Sequence, residues 1–527
     1  MNNSRRAFLG GLTGLGGLTG LGGLTYSSAA AATPRHLRQL LDVALNHESY
    51  WSLVAGQFPL RPGKIPMNAA NLCPSPRVVS ERVAELTRDE DSDVSNPNRA
   101  KFAVLLEESR KKAAEQVGAS PDEIALVRNT SEANNTINNG IALGPGDEVV
   151  LWEQNHPCNN VAWDVRAARH GFQVKRVSVP AAAKSAGEVV KLFEAALTPR
   201  TKVLSITYVS NTSGFRLPAK ELCSLARQRG IHAHLDGAQV WGYLKLDLKD
   251  IGCDSFGGSA HKWLMGPKEA GLLYVRKERI AQIWPNIVSV AWGADSLTGS
   301  VASRKFEALG QRDDACLAAV GTAVDFHRII GYENVEARTT ELASALKAGL
   351  AKINRVKLVT PMSPEMSGGV VIAQVPDLDR QKTGALVKDL YDKYGVAGAA
   401  TGGVRLAPHV YIQVRCRGRG DRRSALGAAC VQHDGGHRDG DPRYAGAAGV
   451  SGVLQPLPDD AQFEAKSLNG ALAIDVFDVH QFFRFYPRAI DVYRSMVRVD
   501  QPAELSAIVD PLPHFRLHFV KAVGRRR

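Results

Sequence analysis

The sequence predicts an α/β fold in which a large domain holds a mostly parallel sheet between helices and a smaller α+β domain follows. Two observations predict this fold class. From residue 121 onward, short apolar runs alternate with stretches of helical period, which is typical of a parallel sheet covered by helices. Residues 202–209, KVLSITYV, are largely apolar, as expected of a strand buried on both faces. The length of 527 residues leaves room for about two to four domains.

The region before residue 121 is predicted to be mainly helical. Residues 33–60 carry leucines at near-helical spacing and are expected to form a helix and an entry segment. Residues 68–76 are rich in Asn and Pro and are expected to form a loop. Residues 77–116 are predicted to form two helices that break at residues 96–98, Asn-Pro-Asn.

The sheet of the large domain is predicted from the elements that alternate after residue 121. Its strand candidates are residues 123–128, 148–152, 172–179, 202–209 and 231–235, and the helices between them are residues 130–141, 160–169 and 217–229. In such folds ligands gather beyond the carboxyl ends of the strands. Polar residues that directly follow a predicted strand are therefore the first candidates for a functional site.

The smaller domain is predicted to follow a loop-rich connector at residues 281–309. Its predicted helices are residues 315–328, 336–353 and 381–394, and its predicted strands are residues 357–360, 369–375 and 404–406. After residue 413 the chain becomes dense in Arg, Gly, Ala and His and loses apolar periodicity. We therefore treat residues 414–527 as an atypical tail, which is a foreign extension, a frame-shifted stretch or a disordered segment.

The N-terminus carries the features of an export leader. Ser4, Arg5, Arg6 and Phe8 resemble a twin-arginine motif, a glycine-rich, weakly apolar run follows, and residues 29–32 are all alanine. We expect residues 1–32 to direct the folded protein to the bacterial periplasm or the medium. The run is too glycine-rich for a stable membrane anchor.

Charge and cysteine content argue against several classes of function. The net charge of +12 is concentrated in part at the two ends, and no basic run is interleaved with aromatic residues in a stacking pattern, so nucleic-acid binding is not expected. The seven cysteines form no C-x-x-C pair and no cluster with histidines. We expect no metal site and no disulfide framework.

Residues 231–276 carry the most informative motif of the chain. An apolar run ends in Asp236, and a glycine-rich stretch at residues 257–261, expected to form a turn, precedes Lys262. The strings LDGAQ at 235–239 and SAHK at 259–262 resemble the signature of class V aminotransferases. That family includes cysteine desulfurases, kynureninase-like lyases and isopenicillin N epimerase-like proteins, and the resemblance spans about residues 68–413.

This resemblance implies pyridoxal 5′-phosphate as the cofactor. It also implies the type I fold of pyridoxal phosphate transferases, with a seven-stranded sheet in the large domain. The implied organisation is a leader at 1–32, an N-terminal arm of the small domain at 33–66, a large cofactor-binding domain at 67–320, a small domain at 321–413 and the tail at 414–527.

The resemblance assigns catalytic roles to Lys262, Asp236 and His156. Lys262 is the expected Schiff-base lysine, and Asp236 would keep the pyridine nitrogen protonated so that the ring accepts electrons. His156 would stack on the ring, and Gln239 would donate a hydrogen bond to its hydroxyl. Since Lys262 must offer a free amine, burial and nearby positive charge should lower its pKa. Taken alone, Asp236 and His156 also fit a turn aspartate and a structural hydrogen-bonding histidine.

The phosphate of the cofactor is expected at the start of a helix, where free N–H groups and the helix dipole favour an anion. Thr130 and Ser131 occupy such a position, although a plain capping box would use the same residue types. By resemblance, Ser259 and His261 close the other side of the phosphate. Gln311 resembles a residue that a second subunit lends to the phosphate, which implies a homodimer with shared active sites.

Two further residues are assigned to the substrate. Asn211 resembles an asparagine that lies near the cofactor ring and the substrate. Arg405 resembles the arginine that clamps an α-carboxylate through two parallel hydrogen bonds, although a strand-end arginine in a surface ion pair is the alternative. A small-molecule amino acid substrate is therefore the expected partner of this site.

The absence of a cysteine from one segment argues against one of the possible reactions, that of a cysteine desulfurase. Desulfurases of this family carry a nucleophilic cysteine shortly ahead of the clamping arginine, and no cysteine lies between Cys316 and Arg405. The overall pattern most resembles the isopenicillin N epimerase-like branch, so we expect epimerase or aminotransferase chemistry at Cα of an amino acid or a similar molecule. A C–S or C–C lyase, and a cofactor-binding protein made inactive by its altered C-terminus, are the alternatives.

Overall fold

The computed structural model describes residues 48–181, 183, 185–289, 302–415 and 430–431. The expected leader and nearly all of the tail lie outside these residues, as does part of the 281–309 connector. The α-helices are α1 (Glu48–Ala55), α2 (Arg77–Ser92), α3 (Asn96–Gln116), α4 (Thr130–Gly140), α5 (Pro157–His170), α6 (Ala186–Ala196), α7 (Ala219–Gln228), α8 (Leu248–Ile251), α9 (Lys277–Ile280), α10 (Asp314–Ala318), α11 (Val320–Ile330), α12 (Tyr332–Leu350) and α13 (Arg380–Tyr394).

The strands follow the same order along the chain. They are β1 (Ile65–Pro66), β2 (Ile124–Val127), β3 (Glu148–Trp152), β4 (Gln173–Val177), β5 (Thr201–Thr207), β6 (His232–Asp236), β7 (Ser255–Ser259), β8 (Gly271–Val275), β9 (Lys357–Leu358), β10 (Val371–Gln374), β11 (Val396–Ala397), β12 (Ala399–Ala400), β13 (Val404–Leu406), β14 (Val414–Arg415) and β15 (Cys430–Val431). Single 3₁₀ turns lie at Pro121–Glu123 and Ala302–Glu307.

A seven-stranded sheet forms the centre of the large domain, in the order β2-β8-β7-β6-β5-β3-β4. Strands β3 to β7 pair in parallel, and only β8 runs antiparallel to its neighbours β2 and β7. The prediction of a mostly parallel seven-stranded sheet is confirmed. Parallel pairing brings the ends of β5, β6 and β7 to one edge, because Asp236 is level with Thr207 on one side and with Gly257 on the other.

The central strands are buried, and β2, β3 and β8 are also mainly apolar in sequence, whereas β6 and β7 bury His, Asp, Ser and Gly residues. Every residue of β2, β3, β6, β7 and β8 is buried, and in β5 only Lys202 is exposed. Helices cover both faces of such a sheet, so neither face keeps the polar alternation of a half-exposed strand. The edge strand β4 is the exception, since of its five residues only Val177 is buried.

The glycine-rich stretch before Lys262 is not the predicted turn. Gly257 and Gly258 lie inside β7, and the turn begins only after Ser259. A Cβ on Gly257 would lie 2.9 Å from the Cβ of Ala133, and one on Gly258 would lie 2.8 Å from the Trp241 ring. The glycines therefore allow close packing on both faces of the strand, which outweighs their low strand propensity. Strand β8 has no counterpart among the predicted strands.

The two helices predicted at residues 77–116 are present as α2 and α3, but their boundary differs from the prediction. Asn96-Pro97-Asn98 begins α3 and does not break it. Ser95 caps the helix by accepting a hydrogen bond from the Asn98 N–H at 3.4 Å. Proline suits the first helical turn, because it has no N–H to satisfy there and its φ angle is already helical.

The smaller domain is built on an antiparallel sheet in the order β12-β13-β10-β9, with α12 and α13 beside it. The predicted strands at 357–360, 369–375 and 404–406 are present. Two helices are predicted between residues 315 and 353, but the structure has three, α10 to α12. Gly331, with a φ of 94°, separates α11 from α12. Helix α1 contacts this domain, because Glu48 pairs with Arg338 of α12 at 2.7 Å. Within the described ranges, no helix has the length and apolar character needed to cross a membrane.

Candidate active site

The structure brings Lys262, Asp236, His156 and Arg405 together at the carboxyl edge of the sheet. Asp236 ends β6, Lys262 lies in the turn after β7, and His156 follows β3. Asp236, Lys262 and Arg405 all act electrostatically on the His156 ring, and Asp236 and Arg405 act on Lys262. Three residues far apart in sequence and one from the small domain thus form one electrostatic cluster.

Lys262 lies in surroundings that favour the uncharged form of its amine. Desolvation lowers the pKa of its amine, the Arg405 charge lowers it further, and Asp236 and Cys158 act in the opposite direction. Its amine forms no hydrogen bond or ion pair within the described part of the chain. A lowered pKa leaves more of the amine uncharged, which is the form that attacks an aldehyde.

Two buried histidines hold the turn that carries Lys262. His409 Nε2 donates to the carbonyl of Trp263 at 2.8 Å, and His327 Nε2 donates to the carbonyl of Leu264 at 3.0 Å. Met265 adopts a left-handed φ of 56°, which costs free energy in a residue with a side chain. The histidine contacts tie this strained turn to α11 and to the segment after β13.

Asp236 is almost fully buried at 1% exposure and is held by neutral donors. Its Oδ2 accepts a hydrogen bond from Asn134 Nδ2 at 2.9 Å, and its Oδ1 accepts one from the Ala238 N–H at 3.0 Å. Asn134 belongs to α4 and was not among the predicted site residues. Its signal in the sequence is the spacing of four from Thr130, which places both polar side chains on one helix face.

The helix start predicted to bind the phosphate is capped by a different residue from the one expected. The cap is Asn129, whose Oδ1 accepts from the Glu132 N–H at 3.1 Å, so the hydroxyls of Thr130 and Ser131 are not used as caps. Thr130 Oγ1 lies 2.7 Å from Ser259 Oγ, and the Thr130 N–H donates to the same oxygen at 2.9 Å. Ser131 is exposed beside them. Three of the four predicted phosphate residues thus lie together.

His156 combines the predicted and the alternative roles. Its Nδ1 accepts a hydrogen bond from the Cys158 N–H at 3.2 Å and caps α5. Desolvation lowers the pKa of His156, and the charges of Lys262 and Arg405 lower it further, whereas Asp236 raises it. The ring is therefore held neutral and in a fixed orientation beside Asp236, as a stacking residue requires.

Gln239 and Asn211 differ in how far their side chains are already satisfied. Gln239 Nε2 donates to the Ala70 carbonyl at 2.9 Å, and its Oε1 accepts from Trp263 Nε1 at 2.9 Å. One Nε2 hydrogen is left for the predicted contact with the ring hydroxyl. Asn211 follows β5, is buried, and has an Oδ1 without a hydrogen-bond partner among the described residues.

Arg405 is a buried guanidinium without a carboxylate partner in the described part of the chain. It lies in β13 with 6% exposure, its Nη2 donates to Asn68 Oδ1 at 3.3 Å, and its Nε has no partner there. Desolvation lowers its pKa. This excludes the alternative of a strand-end arginine in a surface ion pair.

His261 and Gln311 are the least engaged of the predicted residues. The Nδ1 of His261 is buried without a partner among the described residues, and desolvation lowers the pKa of the ring to about 4. Gln311 is exposed, and its Oε1 accepts from Arg99 Nη2 at 2.9 Å. Its described contacts do not include the Lys262 cluster, so its role in the phosphate site of a second subunit stays a prediction.

Cys158 is the thiol that lies next to this site, although no special role is expected for it from the sequence. It interacts electrostatically with Lys262 and Asp236, and its Sγ lies 3.8 Å from Asn134 Nδ2. Desolvation, followed by the Asp236 charge, raises the pKa of the thiol. The described residues contain no grouping of His, Cys, Asp and Glu that could hold a metal ion.

The site has the features that bound pyridoxal phosphate would need. Three buried polar atoms have no hydrogen-bond partner among the described residues, and a bound ligand would supply one. They are Asn211 Oδ1, Arg405 Nε and His261 Nδ1. The hydroxyls of Thr130 and Ser259 meet at a helix start, where an anion is favoured. The amine of Lys262 and the carboxylate of Asp236 supply the two groups that act on the aldehyde and the ring nitrogen.

Comparison with known proteins agrees with this chemistry. A family model described as aminotransferase class V matches residues 69–412. The isopenicillin N epimerase of Streptomyces clavuligerus is 31% identical over 336 residues, which are 62% of this chain and 84% of that protein. The corresponding enzyme of Amycolatopsis lactamdurans is 31% identical over 66% of this chain and 89% of its own length. A cysteine desulfurase of Pectobacterium atrosepticum is 28% identical over 63% of this chain and 81% of its length.

Solved structures share the fold. A mutant of C-DES with glycine covalently linked to its PLP cofactor has a TM-score of 0.61 at 22% identity and covers 68% of this chain and 94% of its own. The apo cysteine desulfurase from Thermococcus onnurineus NA1 has a TM-score of 0.59 at 23% identity and covers 68% and 93% of the two chains. At these identities the likeness supports the α/β architecture alone.

Proposed function

The chain belongs to the class V aminotransferase family of pyridoxal phosphate-dependent enzymes, and we propose that it removes and returns a proton at Cα of an amino acid. The observation that carries this proposal is the arrangement of Lys262, Asp236 and Arg405. An amine with a lowered pKa, a buried carboxylate and a buried guanidinium with no carboxylate partner among the described residues lie together there. Epimerisation and transamination both begin with this proton transfer.

The cofactor is pyridoxal 5′-phosphate, and this chain offers residues for each part of it. We assign Lys262 to the aldehyde and Asp236 to the ring nitrogen. We assign Thr130 and Ser259, whose hydroxyls lie 2.7 Å apart at a helix start, to the phosphate, and His156, whose pKa is lowered, to stacking on the ring. When bound, the cofactor supplies an electron-accepting ring that makes the Cα proton of an attached amine acidic.

Arg405 supports an α-carboxylate as the anchor of the substrate. A guanidinium that is 6% exposed and has no carboxylate partner among the described residues bears a desolvation cost that an anionic ligand would offset. Its planar fork matches a carboxylate through two parallel hydrogen bonds. Anchoring there would orient Cα towards Lys262, whose lowered pKa suits a general base near neutral pH.

A second candidate function is a C–S lyase or desulfurase, and the position of Cys158 favours it. This thiol lies beside Lys262 and Asp236, where it could reach a sulfur-containing substrate. Its pKa is raised, so it stays protonated at neutral pH, and a protonated thiol is a poor nucleophile. The segment where the family's desulfurases carry their cysteine has none. Both points favour proton transfer at Cα over persulfide formation.

Two measurements test the proposed function. The purified protein is reduced with borohydride in the presence of pyridoxal phosphate, and the pyridoxyl label should be found on Lys262. Panels of L- and D-amino acids are then incubated in deuterium oxide, with Lys262→Ala as the control. Deuterium at Cα is the expected result. Release of sulfide or of a β-substituent without Cα exchange would contradict the proposal in favour of the lyase, and a label with no exchange and no product would favour a cofactor-binding protein without activity.

We also propose that the enzyme is a homodimer and that it is exported by the twin-arginine route. The resemblance of Gln311 to a residue shared between subunits supports the first proposal, and Arg5 and Arg6 support the second. Replacing both arginines by lysine should retain the protein in the cytoplasm. Undiminished export of that variant would contradict the second proposal.

A further inference from the structure

A chain of buried polar side chains leads from His232, at the start of β6, to Asp236 at its end. It consists of His232, Ser255, His234, Asn134 and Asp236, and we refer to it as the Asp236 chain. Each link, from one side chain to the next, measures 2.9 Å. All its members are buried, from 0% exposure at Asn134, His234 and Ser255 to 7% at His232.

The hydrogen atoms of this chain can be assigned from Asp236 outward. A carboxylate only accepts hydrogen bonds, so Asn134 must present its amide NH₂ group to Asp236 Oδ2. The carbonyl oxygen of Asn134 then faces His234 Nε2. Because a carbonyl oxygen cannot donate, His234 must carry a proton on Nε2.

The same logic continues to the far end of the chain. Desolvation lowers the pKa of His234 to about 3, so the ring is neutral and its Nδ1 is an acceptor. The Ser255 hydroxyl must donate to that nitrogen. Its oxygen then accepts from His232 Nε2, in a ring whose pKa desolvation lowers to about 4. Every hydrogen bond in the chain therefore points towards Asp236.

We propose that Asn134, His234, Ser255 and His232 are positioning residues, which orient the Asp236 carboxylate for the pyridine nitrogen through a single ordered run of hydrogen bonds. This proposal rests on the role given to Asp236 in the proposed function. The partners of Asp236 in this chain are uncharged, so they fix its direction while its negative charge stays available for a cationic ring. A buried Arg or Lys in the place of Asn134 would instead neutralise the carboxylate.

The Asp236 chain also connects the phosphate side of the cofactor site with the ring-nitrogen side. Asn134 lies one helical turn after Thr130 on α4, and Thr130 contacts Ser259 at the end of β7. Ser255 lies at the start of the same strand. One helix and one strand thus set both the phosphate side and the ring-nitrogen side, which fixes the distance between them.

The hydrogen-bond order is tested without the cofactor, by NMR of the full-length protein labelled with ¹⁵N-histidine. His234 should carry its proton on Nε2 and a bare Nδ1, and His232 should carry a proton on Nε2. Signals are assigned with His234→Gln and His232→Gln, since glutamine can keep a donor in a similar place. A proton on Nδ1 of His234, or on both of its nitrogens, would overturn the order. That result would leave the labelling of Lys262 untouched, so the two failures are distinguishable.

The coupling to Asp236 is tested in the holoenzyme by substitution. Asn134→Ala should weaken cofactor retention roughly tenfold, because an unsatisfied buried acceptor is left beside the ring nitrogen. It should also shift the absorbance of the bound cofactor towards the form with an unprotonated ring. Ser255→Ala acts two hydrogen bonds away from Asn134 and is milder for folding. It should shift the absorbance in the same direction to a smaller extent.

The matched control is Ser109→Ala, which removes another buried hydroxyl that joins two elements, here α3 and the carbonyl of Ala318. Its contacts do not include the Lys262 cluster. It should lower the melting temperature without changing the absorbance of the bound cofactor. Asn134→Ala and Ser255→Ala could both give the same cofactor absorbance and the same cofactor retention as Ser109→Ala. In that case the Asp236 chain is only structural and the proposal fails.

Discussion

Gly257→Ala is a small change whose effect on the cofactor site can be worked out from the structure. The added Cβ would lie 2.9 Å from Ala133 Cβ, 3.2 Å from Asn134 Oδ1 and 3.4 Å from Thr130 Cγ2. The distance of 2.9 Å to Ala133 Cβ is too short for two carbon atoms that are not bonded to each other. The methyl group of Ala133 has no other rotamer by which to move away. Strand β7 and helix α4 must therefore separate by several tenths of an ångström.

That separation acts on stability and on binding together. Overpacking of this kind costs about 1–3 kcal/mol in a close-packed interior. It also lengthens the contact of 2.7 Å between Thr130 Oγ1 and Ser259 Oγ, on which the predicted phosphate site depends. We expect the free energy of unfolding of the apo protein to fall by about 1–3 kcal/mol, and the dissociation constant for pyridoxal phosphate to rise about tenfold or more.

The assay pairs chemical denaturation of the apo protein with titration of the cofactor. The matched control is Gly144→Ala, because a Cβ there meets no atom within 4 Å and the residue has no left-handed φ. This control should change stability by less than about 0.5 kcal/mol and leave cofactor binding unchanged. A Gly257→Ala protein with unaltered stability and affinity would refute the packing argument.

Three further predictions concern charge, pH and subunit composition. Arg405→Lys should raise KM for amino acids by about tenfold or more with a smaller change in kcat, since a point charge replaces a two-bond clamp; an unchanged KM in steady-state kinetics would contradict the clamp. His327 and His409 have folded-state pKa values lowered to about 4 and about 3 by burial, below about 6.5 in the unfolded chain. Their contribution to stability should therefore be complete above pH about 6.5 and be lost as the pH falls towards the folded-state pKa values. The free energy of unfolding, measured at a series of pH values, should fall with acid. His327→Gln should reduce the slope of the free energy of unfolding against pH. If active sites are shared, inactive Lys262→Ala and Gln311→Ala homodimers should recover activity when mixed and allowed to exchange subunits, and no recovery would argue for sites built within one subunit.

The fold could be predicted largely from the sequence because central strands and their connections leave strong local patterns. The run at residues 202–209 is largely apolar, and β5 is buried almost throughout. Strand β7 was missed since its glycines are local signals for a turn. What keeps them in a strand is the proximity of Ala133 on one face and Trp241 on the other. Such contacts lie far away in sequence and leave no periodic trace.

In the candidate site, too, some residues could be predicted from the sequence and others could not. Lys262, Asp236 and Arg405 stand in short strings that resemble a family, and the structure brings them together. Asn134, His234 and Cys158 matter through their neighbours in space, so their roles could not be predicted from the strings around them. His234 lies two residues before Asp236 on β6, but the residue that links their side chains is Asn134, one hundred positions before His234.

The balance of charge in the site gives an independent reason to expect two anionic groups in the bound molecules. Lys262 and Arg405 are both desolvated, and among the described residues Asp236 is the carboxylate that acts on the Lys262 amine. Asp236 accepts its hydrogen bonds from Asn134 and Ala238, so it does not cancel the charge of Arg405. Burying a guanidinium without a counter-ion is costly, and a protein retains such a group where a ligand supplies the charge. A phosphate at the helix start of α4 and a carboxylate at β13 would supply it at two separate points. An amino acid joined to pyridoxal phosphate carries both groups, whereas a simple amine or a neutral substrate would leave Arg405 unpaired.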